Sequence, residues 1–200
     1  MNAEKFLENE IPYGVRQKLI GTLSRAYADT ENLKLSDSAF NSNKGNETLT
    51  YIRNLKVEEQ IKNEIESYFL PFEYKECKNY AENCTHYEFE TKNAIITVSR
   101  VQKENMMPRK AIFRENLSFN NQISLFDDEE EMTSKKHILL THVCEDDKLK
   151  SLMLGIPSVD GKTWEYNLNL LKEFNVIENT EEELPATTLK IRKVVKEGKN

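Results

Sequence analysis

Val57, Ile61, Ile65 and Phe69 recur every four residues, and the run stops at Pro71. This spacing lays one apolar stripe along a helix that must bury it against something, and proline ends the helix because it has no amide donor. Upstream, Pro12 stands where a helix can begin, and Val15, Leu19, Leu23 and Ala26 repeat at three or four residues as far as Ala28. Residues 3–10 read as a further short helix. Residues 29–48, rich in Asn, Ser, Asp and Gly, are expected to form a long mobile loop, followed by a short strand from Thr48 to Asn54.

Beyond Pro71 the chain is β-rich. Tyr87 to Thr91 and Ala94 to Val101 suit a hairpin turned at Lys92-Asn93, or one long strand. Pro108 opens a segment that reads as a helix with Ile112, Phe113 and Leu117 on one side, or as a strand from Lys110 to Arg114. Lys136 to Val143 and Lys150 to Ile156 read as strands turned at Glu145-Asp146-Asp147. Thr163 is placed to cap a last helix carrying Trp164, Leu168, Leu171 and Phe174, and Leu189 to Val195 suits a late strand. Helices before and after an antiparallel sheet predict an α+β fold. The expected organisation is a single domain over residues 1–200, with the mobile loop 29–48, an acidic loop 127–136 and a basic C-terminal tail.

The net charge of −6 disfavours broad binding to nucleic-acid phosphate. Its distribution is uneven, because Lys190, Arg192, Lys193, Lys196 and Lys199 face only Glu197 in the last stretch. The opening MNAEKFLENE is acidic and has no apolar core, so no signal peptide is expected, and no run is apolar enough to span a bilayer. Three cysteines then fit a reducing cytoplasm better than a disulfide framework.

The stretch FNNQISLFDDEEE sets Ile123, Leu125 and Phe126 directly before five acidic residues, Asp127 to Glu131. Gln122-Ile123-Ser124-Leu125-Phe126 resembles the bacterial sliding-clamp-binding pentapeptide, with Ile where Leu is favoured at its second position. The resemblance implies that Leu125 and Phe126 enter an apolar pocket of the clamp while Gln122 bonds at its rim. The competing reading makes Leu125 and Phe126 core residues of a helix-to-strand connector.

Glu88, Glu90 and Lys92 alternate along one run. Metal-dependent nucleases of the restriction-enzyme type use such a Glu-x-Lys pair beside another acid, which makes these residues the alternative catalytic set. The ordinary explanation is alternating charge on the solvent face of a half-buried strand. Cys84 with His86, and His142 with Cys144, are spaced to share strand faces, and zinc accepts that ligand mixture. Buried thiols and hydrogen-bonded imidazoles are the plainer reading, and no metal or other cofactor is expected. Arg109, Lys110 and Arg114 read as a solvated face, with Glu115 beside them.

No Walker A loop, GxGxxG, GxSxG or HExxH is present. The expectation is a non-enzymatic accessory or inhibitor protein with a protein partner, the sliding clamp being one candidate. In composition it resembles small prophage or defence-associated proteins.

Overall fold

The computed structural model describes residues 2–79, 82, 84–121 and 134–174. Two long helices and a six-stranded sheet dominate it. Helix α1 (Ala3–Glu10) leads into α2 (Tyr13–Ser36), a 3-10 turn (Ser38–Asn41) and α3 (Asn43–Glu66). Then come β1 (Glu73–Lys78), β2 (Thr85–Glu90), β3 (Ala94–Val101), α4 (Ile112–Phe119), β4 (Lys136–Glu145), β5 (Lys148–Pro157), β6 (Trp164–Asn169) and the single turn α5 (Leu170–Glu173). The strands lie in chain order, β1 to β6. All neighbours are antiparallel except β3 and β4, which run parallel across the connection that contains α4. The α+β expectation therefore holds, with one parallel pair. Among the described residues no helix is long and apolar enough to cross a membrane.

The expected loop 29–48 is largely helix. Helix α2 continues past Ala28 because Thr30 is buried and returns its hydroxyl to the Ala26 carbonyl at 2.8 Å. Lys34 then pairs with Asp147 across the fold. These tertiary contacts override the weak local preference of a polar segment. Ser42 caps α3 by accepting the Gly45 N–H at 3.0 Å. Gly45 is required there, since a Cβ would sit 2.3 Å from the Ala39 carbonyl oxygen. The expected strand Thr48–Asn54 lies inside α3. Leu49, Arg53, Val57, Ile61 and Ile65 form one buried row, so the four-residue repeat begins earlier than the aliphatic residues alone suggest.

Leu19, Leu23 and Ala26 of α2 and Val57, Ile61 and Ile65 of α3 pack on Phe89, Ile96, Val98, Ile138, Leu140, Leu152 and Leu154 of the sheet. Helix α4 covers the other face. Its Ser118 hydroxyl lies 3.1 Å from Nδ1 of buried His137, whose Nε2 is 2.9 Å from the Thr97 hydroxyl. Burial and the nearby Arg114 push His137 down to about 3, so the ring is neutral.

The last expected helix is instead β6 followed by α5. Trp164 to Asn169 pair with the free edge of β5, and the remaining helical turn is capped by Asn169. Gly155 permits this approach, because a Cβ on it would lie 2.3 Å from the Tyr166 carbonyl oxygen. Strand β1 was not anticipated and lies at the sheet edge, paired along its length with β2. The expected turn at Asp146-Asp147 is a two-residue connection with both φ positive, +49° and +63°, as the right-handed twist of a tight hairpin requires. Residues 127–133 of the acidic loop, the basic tail and the late strand lie outside the described residues.

Candidate functional site

The sheet splits between β2 and β3. Strand β2 follows β1 through six residue pairs, but it meets β3 only at Phe89↔Ile96 and Glu90↔Ile95. Beyond Ile96, β3 continues to pair with β4 as far as Val101. Among the described residues, no strand faces residues 97–101 of β3 on the β2 side. The gap is a cavity of about 620 Å³, within the usual size range of ligand sites. Tyr51, Asn54 and Glu58 of α3 line one side, and Met106, Met107, Phe113 and Arg114 another.

The walls are polar but incompletely satisfied. Glu58 lies beside the Tyr87 main chain of β2 in the cavity lining. Burial raises its carboxyl to about 7. His86 and the Tyr87 main chain act in the opposite direction, and Glu59 adds to the rise. The Asn54 side-chain oxygen and the Arg100 Nε are buried and have no hydrogen-bond partner among the described residues. His86 stacks on Phe113, with ring centroids 3.8 Å apart. His142 is buried on the α2 side, 2.7 Å from the Tyr27 hydroxyl. Burial, Arg100 and Arg53 hold it neutral, down to about 3.

The sequence-derived sets fare differently. Glu88 and Glu90 share a face of β2, but each has a local partner instead of a solvent exposure. Glu88 Oε1 lies 3.4 Å from His86 Nε2, and Glu90 takes Lys135 at 2.6 Å. The His86 bond is the main reason the Glu88 carboxyl sits below its ordinary range. Lys92 lies beyond the end of the strand and is exposed. Cys84, His86 and His142 all line the cavity. His86 faces α4 through Phe113, whereas His142 faces α2 through Tyr27, so the two imidazoles address opposite faces of the sheet. Among the described residues no three His, Cys, Asp or Glu side chains are placed to hold a metal ion. Gln122, Ile123, Leu125 and Phe126 lie outside the described residues.

Arg114 is not on a solvated face. Its guanidinium is half-buried in the cavity wall and donates to the Ser99 hydroxyl at 3.2 Å and the Arg109 carbonyl at 2.6 Å. Sequence reasoning missed Glu58, Asn54 and Arg100. Arg100 did leave a signal: it follows Ile96 and Val98 at period two, which puts a charge on a core-facing position. Searches against protein-family models, curated proteins and solved structures find no match to this chain.

Proposed function

We propose that this chain is a non-enzymatic protein-binding module that takes an extended segment of a partner into the split between β2 and β3. One observation carries the reading: among the described residues, no strand pairs with residues 97–101 of β3 on the β2 side, and that edge lies inside a preformed cavity. An extended peptide can add there as a strand, with main-chain hydrogen bonds supplying affinity and flanking pockets supplying selectivity. Exposed Tyr51 and Met106 at the rim offer apolar and aromatic contact to such a segment. The alternative nuclease reading lacks comparable support, because Glu88 and Glu90 are engaged locally and Lys92 stands apart.

Amide hydrogen exchange tests the proposal. Peptides selected from a random display library should slow exchange at residues 97–101 and 85–88. Peptides that bind while protecting only other regions, or a selection that yields no binder, would remove the reading. The sliding clamp stays a candidate partner through Gln122 to Phe126, on the strength of the pentapeptide itself.

A further inference from the structure

Acidic side chains outnumber basic ones in this chain, 34 to 28, so carboxylates are not scarce. The described guanidiniums outside the cavity use them. Arg16 binds Glu173 through two bonds, at 2.6 and 3.1 Å, and Arg53 binds Asp147 at 2.7 Å. Even the half-exposed Arg25 pairs with Glu64. Arg100 and Arg114 line the cavity and differ: among the described residues neither has a carboxylate partner. Arg114 is met by two neutral oxygens, and the buried Arg100 Nε has no partner among the described residues. Partly buried guanidiniums without counter-charges destabilise the folded chain. An anion supplied by another molecule would remove that cost.

The two arginines lie on opposite faces of the split. Ser99 and Arg100 are neighbours on β3 and point to opposite sides of the sheet. Arg114 bonds Ser99 and so sits on the α4 side. Arg100 follows Ile96 and Val98 at period two, and those residues belong to the core built with α2 and α3, so it lies on the α2 side. A strand laid along β3 would likewise send adjacent side chains to opposite faces.

We infer that the segment bound in the split is acidic, with two adjacent carboxylates meeting Arg100 on one face and Arg114 on the other. The inference rests on the strand-binding reading proposed above. Glu58 stands on the opposite wall, beside β2, and its raised carboxyl carries less negative charge than an ordinary carboxylate at neutral pH. A long polyanion such as single-stranded nucleic acid fits less well. It would meet the field of the whole −6 chain, whereas a short peptide is governed by the local guanidiniums.

The test uses random peptides displayed on phage, selected against the full chain and against Arg100→Gln/Arg114→Gln. Wild type should enrich adjacent Asp or Glu pairs. A synthetic peptide from that pool should bind at least tenfold more weakly to the double variant, and more weakly as salt is raised. Replacing its acidic pair by Asn-Gln should cause a similar loss on wild-type protein, a comparison that does not depend on the variant folding. The variant itself should melt no lower than wild type, since uncompensated charges are removed. Binders without acidic enrichment would overturn the inference and leave the strand-binding reading in place. Failure to select any peptide would remove both. Tight binding of a single-stranded oligonucleotide, lost in the same variant, would assign the arginines to phosphate and overturn the acidic-peptide inference.

Discussion

Glu58 of α3 sits beside Tyr87 of β2 in the cavity, against the edge that β3 leaves open. Its carboxyl is raised from 4.5 to about 7, mainly by burial. The folded state therefore holds a proton there that the unfolded chain releases. The associated stability is fully present below about pH 4.5 and is lost as pH rises through about 7. Its upper bound is on the order of 3 kcal/mol. Glu58→Gln keeps the size and polarity of the side chain but removes the titration. Urea unfolding should show the variant gaining on wild type between pH 5 and pH 8. Parallel stability curves for the two proteins would show that Glu58 is not desolvated in solution.

Asp147 joins Lys34 of α2, at 2.5 Å, and Arg53 of α3, at 2.7 Å, to the β4–β5 turn. The Lys34 bond is the largest influence holding its carboxyl below the ordinary value. A depressed folded value means that this stability is present above about pH 4 and is lost as pH falls through the folded value. Asp147→Asn retains a residue that tolerates positive φ but leaves Arg53, with its side chain only 4% exposed, without its counter-charge. The expected cost is about 2–3 kcal/mol at neutral pH. Arg53→Met should be milder, because it removes the stranded charge as well as the pair. Equal losses in both variants would argue against that explanation.

Asn121 is 2% exposed and completes the sheet where β4 begins. Its side-chain oxygen accepts the His137 N–H at 2.7 Å, and its amide donates to the His137 and Pro157 carbonyls at 3.2 and 2.8 Å. Asn121→Ala should cost about 3 kcal/mol by leaving main-chain groups unsatisfied. Asn121→Asp should be at least as damaging, since a carboxylate cannot donate to either carbonyl. A fall in Tm of less than a few degrees for both would show that the amide is dispensable.

Elements whose apolar period is local were legible from sequence: the first half of α2, the second half of α3, and strands β2 to β5. The second half of α2 was not, because its helix depends on buried Thr30 and on Lys34 reaching Asp147, a residue distant in sequence. Trp164 to Asn169 have helical spacing by chance, and their strand exists because β5 offers an edge with Gly155 in it. Strand β1 carries the charge-rich sequence EYKECK, which has no apolar face to betray it. In the cavity, Arg100 was legible by parity along β3. Arg114 was not, because its burial depends on where the connection after β3 folds back.

Gly155 gives a direct test of the β5–β6 pairing. A methyl group there meets the Tyr166 carbonyl oxygen at 2.3 Å and Asn167 Cα at 2.8 Å, so main chain must move. Gly155→Ala should destabilise by about 3 kcal/mol. Hydrogen-exchange protection should fall first in residues 164–169. Uniform loss across the sheet, with no early opening of β6, would argue against an independent edge strand.

The last prediction concerns Leu125 and Phe126, where sequence alone speaks. If they anchor a sliding clamp, Leu125→Ala/Phe126→Ala removes the two apolar contacts on which such a peptide depends. Clamp binding, measured by titration calorimetry with purified clamp, should then be lost while Tm is unchanged. The acidic block that follows would steer encounter with a basic partner surface and make the association rate fall as salt is raised. If the same side chains belong to this protein's own core, the double substitution should cost several kcal/mol of fold stability instead. Peptide binding at the β2–β3 split is expected to survive the double substitution where the fold does, because Arg100 and Arg114 lie on other elements. A variant that loses both clamp binding and peptide binding at unchanged Tm would show that the two sites are one, and would overturn their separation.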